Sequence, residues 1–159
     1  MILVLLGTQN NSFIRLLDEI ETCVENKVIK DKVIVQCGHT KFSSDYMELF
    51  DFVSMGDINN YIEKADLIIT HGGVGSIINS IKAGKKVIAV PRLKKFNEHI
   101  NNHQTQIIGT FDKEGFIEGV FDISLLSNAI KNIDSFIPTP YRSSNNKILE
   151  IISNYIDNN

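Results

Sequence analysis

Four short apolar runs, each too brief for a helix and each closed by a turn-forming residue, constrain this chain more than any other feature. Ile2–Leu6 ends at Gly7-Thr8-Gln9-Asn10, and Lys32–Gln36 closes at Gly38. Leu67–Thr70 meets His71-Gly72-Gly73-Val74-Gly75-Ser76, and Val87–Val90 stops at Pro91. Runs of this length, rich in β-branched residues, read as buried strands. Between them apolar residues recur at helical spacing. Phe13, Leu16, Leu17, Ile20 and Val24 form one such face with Ser12 as its cap. Asp57 caps a second through Tyr61 and Ile62, and Ile77, Ile78 and Ile81 form a third that closes at Gly84. Weaker signals predict strands at Leu49–Val53 and Phe116–Phe121, and a helix over Glu98–Ile108 ending at Gly109. Two closing helices follow, Ser124–Ile133 with a serine cap and one over about 143–157 behind Pro138 and Pro140. Strands alternating with helices predict an α/β fold, a parallel sheet with helices on both faces.

At 159 residues the chain is expected to form one domain, 1–159. Its 43% apolar content supports a real core. A formal charge of −3 argues against a general nucleic-acid binder, whose domain carries a basic excess. No run approaches the roughly 18 apolar residues of a membrane span, and no basic region precedes an apolar one with a cleavage site. Cys23 and Cys37 make neither a disulfide framework nor a metal quartet, and read as reduced thiols of a cytoplasmic protein.

Ligands of open parallel sheets bind beyond the carboxyl ends of the strands, which puts three loops forward. Gly7-Thr8-Gln9 is the first. In the second, Gly72, Gly73 and Gly75 let backbone approach a ligand and reach positive φ, while Ser76 stands at the mouth of a helix. Free N–H groups and the helix dipole there favour an anion such as a diphosphate, to which His71 at the strand end can donate. The other reading of these glycines is a tight strand-to-helix turn. The loop is neither Gly-x-x-x-x-Gly-Lys-[Ser/Thr] nor, at the first turn, Gly-x-Gly-x-x-Gly, which disfavours a nucleoside-triphosphate engine and a nicotinamide dehydrogenase. The third loop, Pro91 to Gln104, carries Glu98-His99 and Asn102-His103-Gln104. His99 and His103 would share a helix face, but no third zinc ligand accompanies them, so no metal is expected. Glu98, His103 and Gln104 suit hydrogen bonding to sugar hydroxyls, or else a solvated helix start. Arg92, Lys94 and Lys95 beside Phe96 read equally as a solvated loop or as a phosphate or lipid-headgroup contact.

With these residues in view, the chain resembles the C-terminal, nucleotide-sugar-binding half of GT-B glycosyltransferases of family 28. It is most similar to the free-standing small subunits of split transferases. These are the catalytic subunits of bacterial capsule and exopolysaccharide transferases, and the cytosolic subunit of the eukaryotic transferase that extends dolichol-diphosphate-GlcNAc. The resemblance spans nearly the whole chain. It is carried by Gly7-Thr8-Gln9, Ala65-Asp66 to Ser76, Gly84-Lys85 to Arg92, and Asn97-Glu98-His99 to His103-Gln104 in that order.

It implies a Rossmann-like domain in which Gly7 and Thr8 lie under a donor diphosphate and His71, Gly75 and Ser76 hold its phosphates. His103 and Gln104 would contact the donor sugar. Asn79 falls where the related signature His-Cys-Gly-x-Asn-Ser-x-x-Glu has a ribose-binding glutamate, a change that removes a charge. The activity implied is inverting transfer from a UDP-sugar, as substrate with no cofactor, to a lipid-linked acceptor. One domain is half of such an enzyme, so the resemblance implies a membrane-associated acceptor-binding subunit that recruits this chain to the inner face of the membrane. No convincing general base stands out in the sequence, which leaves it open between this chain and that partner. Two other readings stand beside this one. One is a non-catalytic nucleotide-sugar-binding partner or regulator, which Asn79 favours. The other is a UDP-sugar epimerase-like protein, which would need a second domain.

Overall fold

The computed structural model describes residues 1–142 and 146–157. Six strands form one all-parallel sheet in the order β3-β2-β1-β4-β5-β6. They are β1 (Ile2–Leu5), β2 (Val33–Gln36), β3 (Glu48–Phe50), β4 (Leu67–His71), β5 (Lys86–Val90) and β6 (Glu118–Gly119). The helices are α1 (Ile14–Glu25), α2 (Met55–Lys64), α3 (Val74–Lys82), α4 (His103–Lys113), α5 (Leu126–Asn132) and α6 (Asn146–Asp157). This is the α/β architecture that the alternating pattern predicts.

The strands are continuous apolar runs because both faces of the sheet are covered. Along β1, Ile2 and Val4 join one core with Ile69 of β4, Leu16, Leu17 and Ile20 of α1, and Leu126 and Ile130 of α5. Leu3 and Leu5 face the other core. That core holds Ile68, Ile62 of α2, Ile77 and Ile81 of α3, Ile108 and Phe111 of α4, and Ile148 and Ile151 of α6. Successive strand residues point to opposite sides, so a shift of one residue would exchange the two cores. Gly84, at φ +71°, ends α3 as its position in the sequence suggests.

Several boundaries differ from expectation. Ser12 does not cap α1: Phe13 takes the cap position and its N–H donates to Thr40 Oγ1 across 3.0 Å. Ser54, not Asp57, caps α2. Its Oγ accepts the Asp57 N–H at 3.1 Å, and Asp57 adds a favourable charge to the first turn. The third strand stops at Phe50 and the sixth is two residues long. A 3-10 turn over Lys94–Phe96 and a left-handed Asn97 (φ 58°) delay α4 until His103, and that helix then runs through Gly109. Ser124 caps nothing. Asp122 caps a 3-10 turn at Ile123–Leu125, and α5 follows at Leu126. Of the expected closing helix, 146–157 is observed and 143–145 lies outside the described residues.

Cys23 and Cys37 are free and buried, and burial raises both thiols above their ordinary pKa. Among the described residues, no helix is long and apolar enough to cross a membrane. Replacing the α2 cap, Ser54→Ala, is expected to cost about 1 kcal/mol in denaturant unfolding, while Asp57→Ala costs less. Equal losses would contradict the capping assignment.

Candidate functional site

A cleft of about 500 Å³ opens at the carboxyl ends of β1 and β4. Its lining takes Gly7, Thr8 and Gln9 from the loop after β1, His71, Gly72, Gly73, Gly75, Ser76 and Asn79 from the end of β4 into α3, and His103 and Gln104 from the start of α4. Three predicted loops thus converge on one space. Met55, Ile58 and Ile62 of α2, with Ile100 and Ile107, add an apolar wall that the sequence reading did not place at the site. Their helical spacing looks the same whether a face packs on core or lines a cleft, so no sequence signal separates the two.

The electrostatics come from backbone and imidazole. Helix α3 starts in the cleft with Gly73 at its cap position, no side-chain cap bond, and no acidic residue in its first turn. Its first intrahelical bond is Ile77 N–H to Gly73 O, so the N–H groups of Val74, Gly75 and Ser76 have no carbonyl within the helix. The ionisable side chains of the lining are His71, His99 and His103, with no carboxylate. A second concavity of about 500 Å³ lies between β6 and α5. Its apolar lining of Phe121, Leu125 and Phe136 is accompanied by Glu118 and Asp122 and by no basic side chain. Of the two, only the first suits an anion. A third, of about 510 Å³, lies at the amino ends of β1, β4 and β5, where Lys27, Lys30, Lys86 and Lys131 stand with Asp31, Asp66 and Asp134, away from the glycine loop and the N-terminus of α3.

The glycines act by absence of volume more than by unusual φ. Gly7 is at φ +75°, and a Cβ on it would stand 2.5 Å from the His71 ring. Gly72, Gly73 and Gly75 are not in the left-handed region, contrary to expectation. A Cβ at Gly73 would collide with the His71 ring, and one at Gly72 would meet Gln104 Cβ at 2.6 Å. Gly75 differs: nothing stands within 4 Å of the position a Cβ would take.

His71 is buried, with Nδ1 3.1 Å from Leu5 O. A carbonyl only accepts, so Nδ1 carries the proton and the neutral ring presents a bare Nε2. Burial pushes its pKa down to about 4; the positive charges on Arg92 and His99 act in the same direction, and the Leu5 carbonyl opposes them. Donation to an anion, expected from the sequence, therefore requires protonation of Nε2. His99 is also held below its ordinary value, by burial and then by Arg92. Its Nδ1 accepts the Asn101 N–H at 3.2 Å, and its Nε2 lies 3.0 Å from the Gln9 amide. His99 precedes α4 while His103 begins it, so the pair does not share a helix face. Among the described residues, no three His, Cys, Asp or Glu side chains gather as a metal would require.

Two expected ligand contacts are instead internal struts. Arg92 is 1% exposed; its guanidinium donates to the carbonyls of Leu6 (2.8 Å) and Asn11 (2.7 Å) and lies over the Phe13 ring. Glu98 is 4% exposed. Both its oxygens pair with Arg15 at 2.8 Å, and it accepts the Leu93 N–H at 2.9 Å. Neither residue lines the cleft. Gln104 does, although its Oε1 is taken by the N–H groups of Gly72 and Arg92. Lys94 and Lys95 are exposed on the turn above, with Phe96 between Arg15 and Lys95 and outside the cleft.

Because native His71 stays neutral down to about pH 4 while the unfolded chain protonates near 6.5, the stabilisation is complete above pH 6.5. It is lost as pH falls towards 4. Unfolding free energy should drop by about 3 kcal/mol over that window. A His71→Asn variant should lose that part of the pH dependence; an unchanged acid profile would contradict it.

The family model described as glycosyltransferase family 28 C-terminal domain matches residues 1–158. The chain is 28% identical over 149 residues to the UDP-N-acetylglucosamine transferase subunit ALG13 of Kluyveromyces lactis, covering 92% of this chain and 69% of that one. It is 33% identical over 98 residues to the subunit of the same name from Candida albicans, covering 62% of this chain but only 32% of the relative's length. Among solved structures, an NMR solution structure of ALG13 superposes with a TM-score of 0.60 at 18% identity, covering 95% of this chain and 93% of that one. Acinetobacter baumannii MurG gives 0.52 at 13% identity, covering 97% of this chain and 49% of that one. At such identities the structural matches establish the shared fold. The match across nearly every residue establishes more: the chain belongs to the glycosyltransferase family 28 C-terminal domain family.

Proposed function

We propose that this chain is the donor-binding half of a UDP-sugar glycosyltransferase whose acceptor-binding wall is a separate chain. The observation that carries the reading is the uncapped start of α3, opening three N–H groups onto a cleft without carboxylates. A diphosphate placed there would receive those N–H groups and the positive end of the helix dipole. Charge develops on the departing UDP as the sugar leaves, and fixed donors aimed at that charge stabilise the transition state. Protonated on Nε2, His71 would add a cation at the same point.

The fungal relatives, UDP-N-acetylglucosamine transferase subunits, support a UDP-sugar donor and a subunit organisation. The finer reading is inverting transfer to a lipid-linked acceptor in surface polysaccharide synthesis. A membrane-associated partner would hold this cytoplasmic chain at the membrane and supply the general base, and no cofactor is needed. A second reading is a nucleotide-sugar-binding subunit without turnover. Asn79 favours it, lining the cleft with a neutral amide where the related plant nucleotide-sugar signature has a glutamate.

Gly75→Val tests the donor site. Valine suits a helix at least as well as glycine, and the space is open, so the melting temperature should stay within a few degrees of the parent's. UDP affinity by titration calorimetry should fall by at least about tenfold, because the methyl groups occupy the anion's place. An unaltered affinity, or no binding of UDP by the parent chain, would contradict the assignment.

A further inference from the structure

One side-chain oxygen holds the turn that presents the α3 N–H groups. Strands β4 and β5 are paired as far as His71 and Val90 and then part. Beyond that point the N–H groups of Gly72 and Arg92 face the opening fork, and Gln104 Oε1 accepts both, each at 3.0 Å. Gln104 enters from the first turn of α4, is 4% exposed, and rests its Cβ against Gly72 so closely that the position admits only glycine. The connection continues through Arg92, whose guanidinium reaches the carbonyls of Leu6 and Asn11 beyond β1. Two side chains in series therefore tie together the exits of β1, β4 and β5, the three strands whose loops frame the cleft.

We infer that Gln104 is a positioning residue for the pyrophosphate, acting through the Gly72 backbone on the turn into α3. This rests on the reading of the cleft as a donor site. A side-chain amide has one oxygen and two N–H donors, and here the oxygen is fully used by the backbone. Only the amide nitrogen remains to face a ligand. Removing the oxygen leaves two buried N–H groups without an acceptor, a state that backbone movement towards water relieves. That movement falls at Gly72, directly before the cap position of α3. Anything gripped by the α3 N-terminus then binds more weakly, whether or not it bears a sugar. A residue whose role is confined to touching the sugar would leave UDP affinity unchanged.

Gln104→Met keeps the length and removes the acceptor. Calorimetric titration with UDP and with UDP-N-acetylglucosamine should show both affinities falling about tenfold, by factors agreeing within about twofold. Amide exchange at Gly72 and Arg92 should accelerate. Gln104→Glu, which restores an acceptor oxygen, should restore that protection, as a merely space-filling role would not. Should Gln104→Met fail to fold, Gln104→Leu, which also lacks the acceptor and adds nothing at Gly72, carries the same expectation for both ligands. Loss confined to UDP-N-acetylglucosamine, or a Gly72 amide that stays protected in Gln104→Met, would overturn the positioning role. A parent chain that binds neither ligand would overturn the reading of the cleft and this role with it.

Discussion

Between β1 and β4 the chain changes the side of the sheet on which it travels, and the crevice follows from that reversal. Helix α1 leaves β1 to pack Leu16, Leu17 and Ile20 in one core, and α3 leaves β4 to pack Ile77 and Ile81 in the other. The two loops must diverge from neighbouring strands, so a gap opens at their carboxyl ends without any residue being spent on carving it. What the sequence adds is small volume and unpaired backbone. Gly7 and Gly73 leave room for the His71 ring between them, and Gly75 leaves the α3 N-terminus uncovered. A parallel sheet aims its helix N-termini at one end, so the same topology that makes the gap also makes it attractive to an anion.

Holding such a gap open needs polar groups inside the protein, and these are expensive unless satisfied. Glu98 and Arg15 compensate each other in a two-point contact, and Glu98 also accepts a backbone N–H. Arg92 spends its terminal nitrogens on carbonyls that the end of β1 leaves unpaired and stacks on Phe13, although its buried Nε has no partner. Burial lowers the Arg92 pKa to about 10, with Glu98 opposing the shift, so its charge persists at neutral pH. These residues make the loops of β1 and β5 behave as one rigid rim, which is what a site of fixed donors requires.

The sheet was legible because buried parallel strands leave an unmistakable mark, continuous apolar runs closed by glycine or proline. The loop glycines were legible too, but for a partly mistaken reason: close approach of Gln104 and His71 explains Gly72 and Gly73 where positive φ does not, while Gly75 has open space beside it. Glu98 and Arg92 misled because a polar residue beside a ligand loop and a buried strut have the same sequence appearance; only their partners distinguish them. The start of α4 was misplaced for a local reason. A left-handed Asn97 redirects the chain, and Asn101 Oδ1 accepts the His103 N–H where the helix begins. Its passage through Gly109 reflects tertiary override, since Ile108 and Phe111 on the same helix are fully buried and outweigh the roughly 1 kcal/mol that glycine costs. The apolar wall from α2 was invisible, because an amphipathic face does not reveal what it faces.

Three concavities of similar size, two of them rivals to the glycine-lined cleft, make the central claim decidable by one experiment. In an amide-resolved NMR titration with UDP-N-acetylglucosamine, the account predicts the largest shifts at Val74, Gly75 and Ser76, where the free N–H groups of α3 meet the diphosphate. Shifts concentrated instead at Phe121 to Leu125, beside the carboxylates of one rival groove, or at Lys27 to Asp31 in the other, would contradict it.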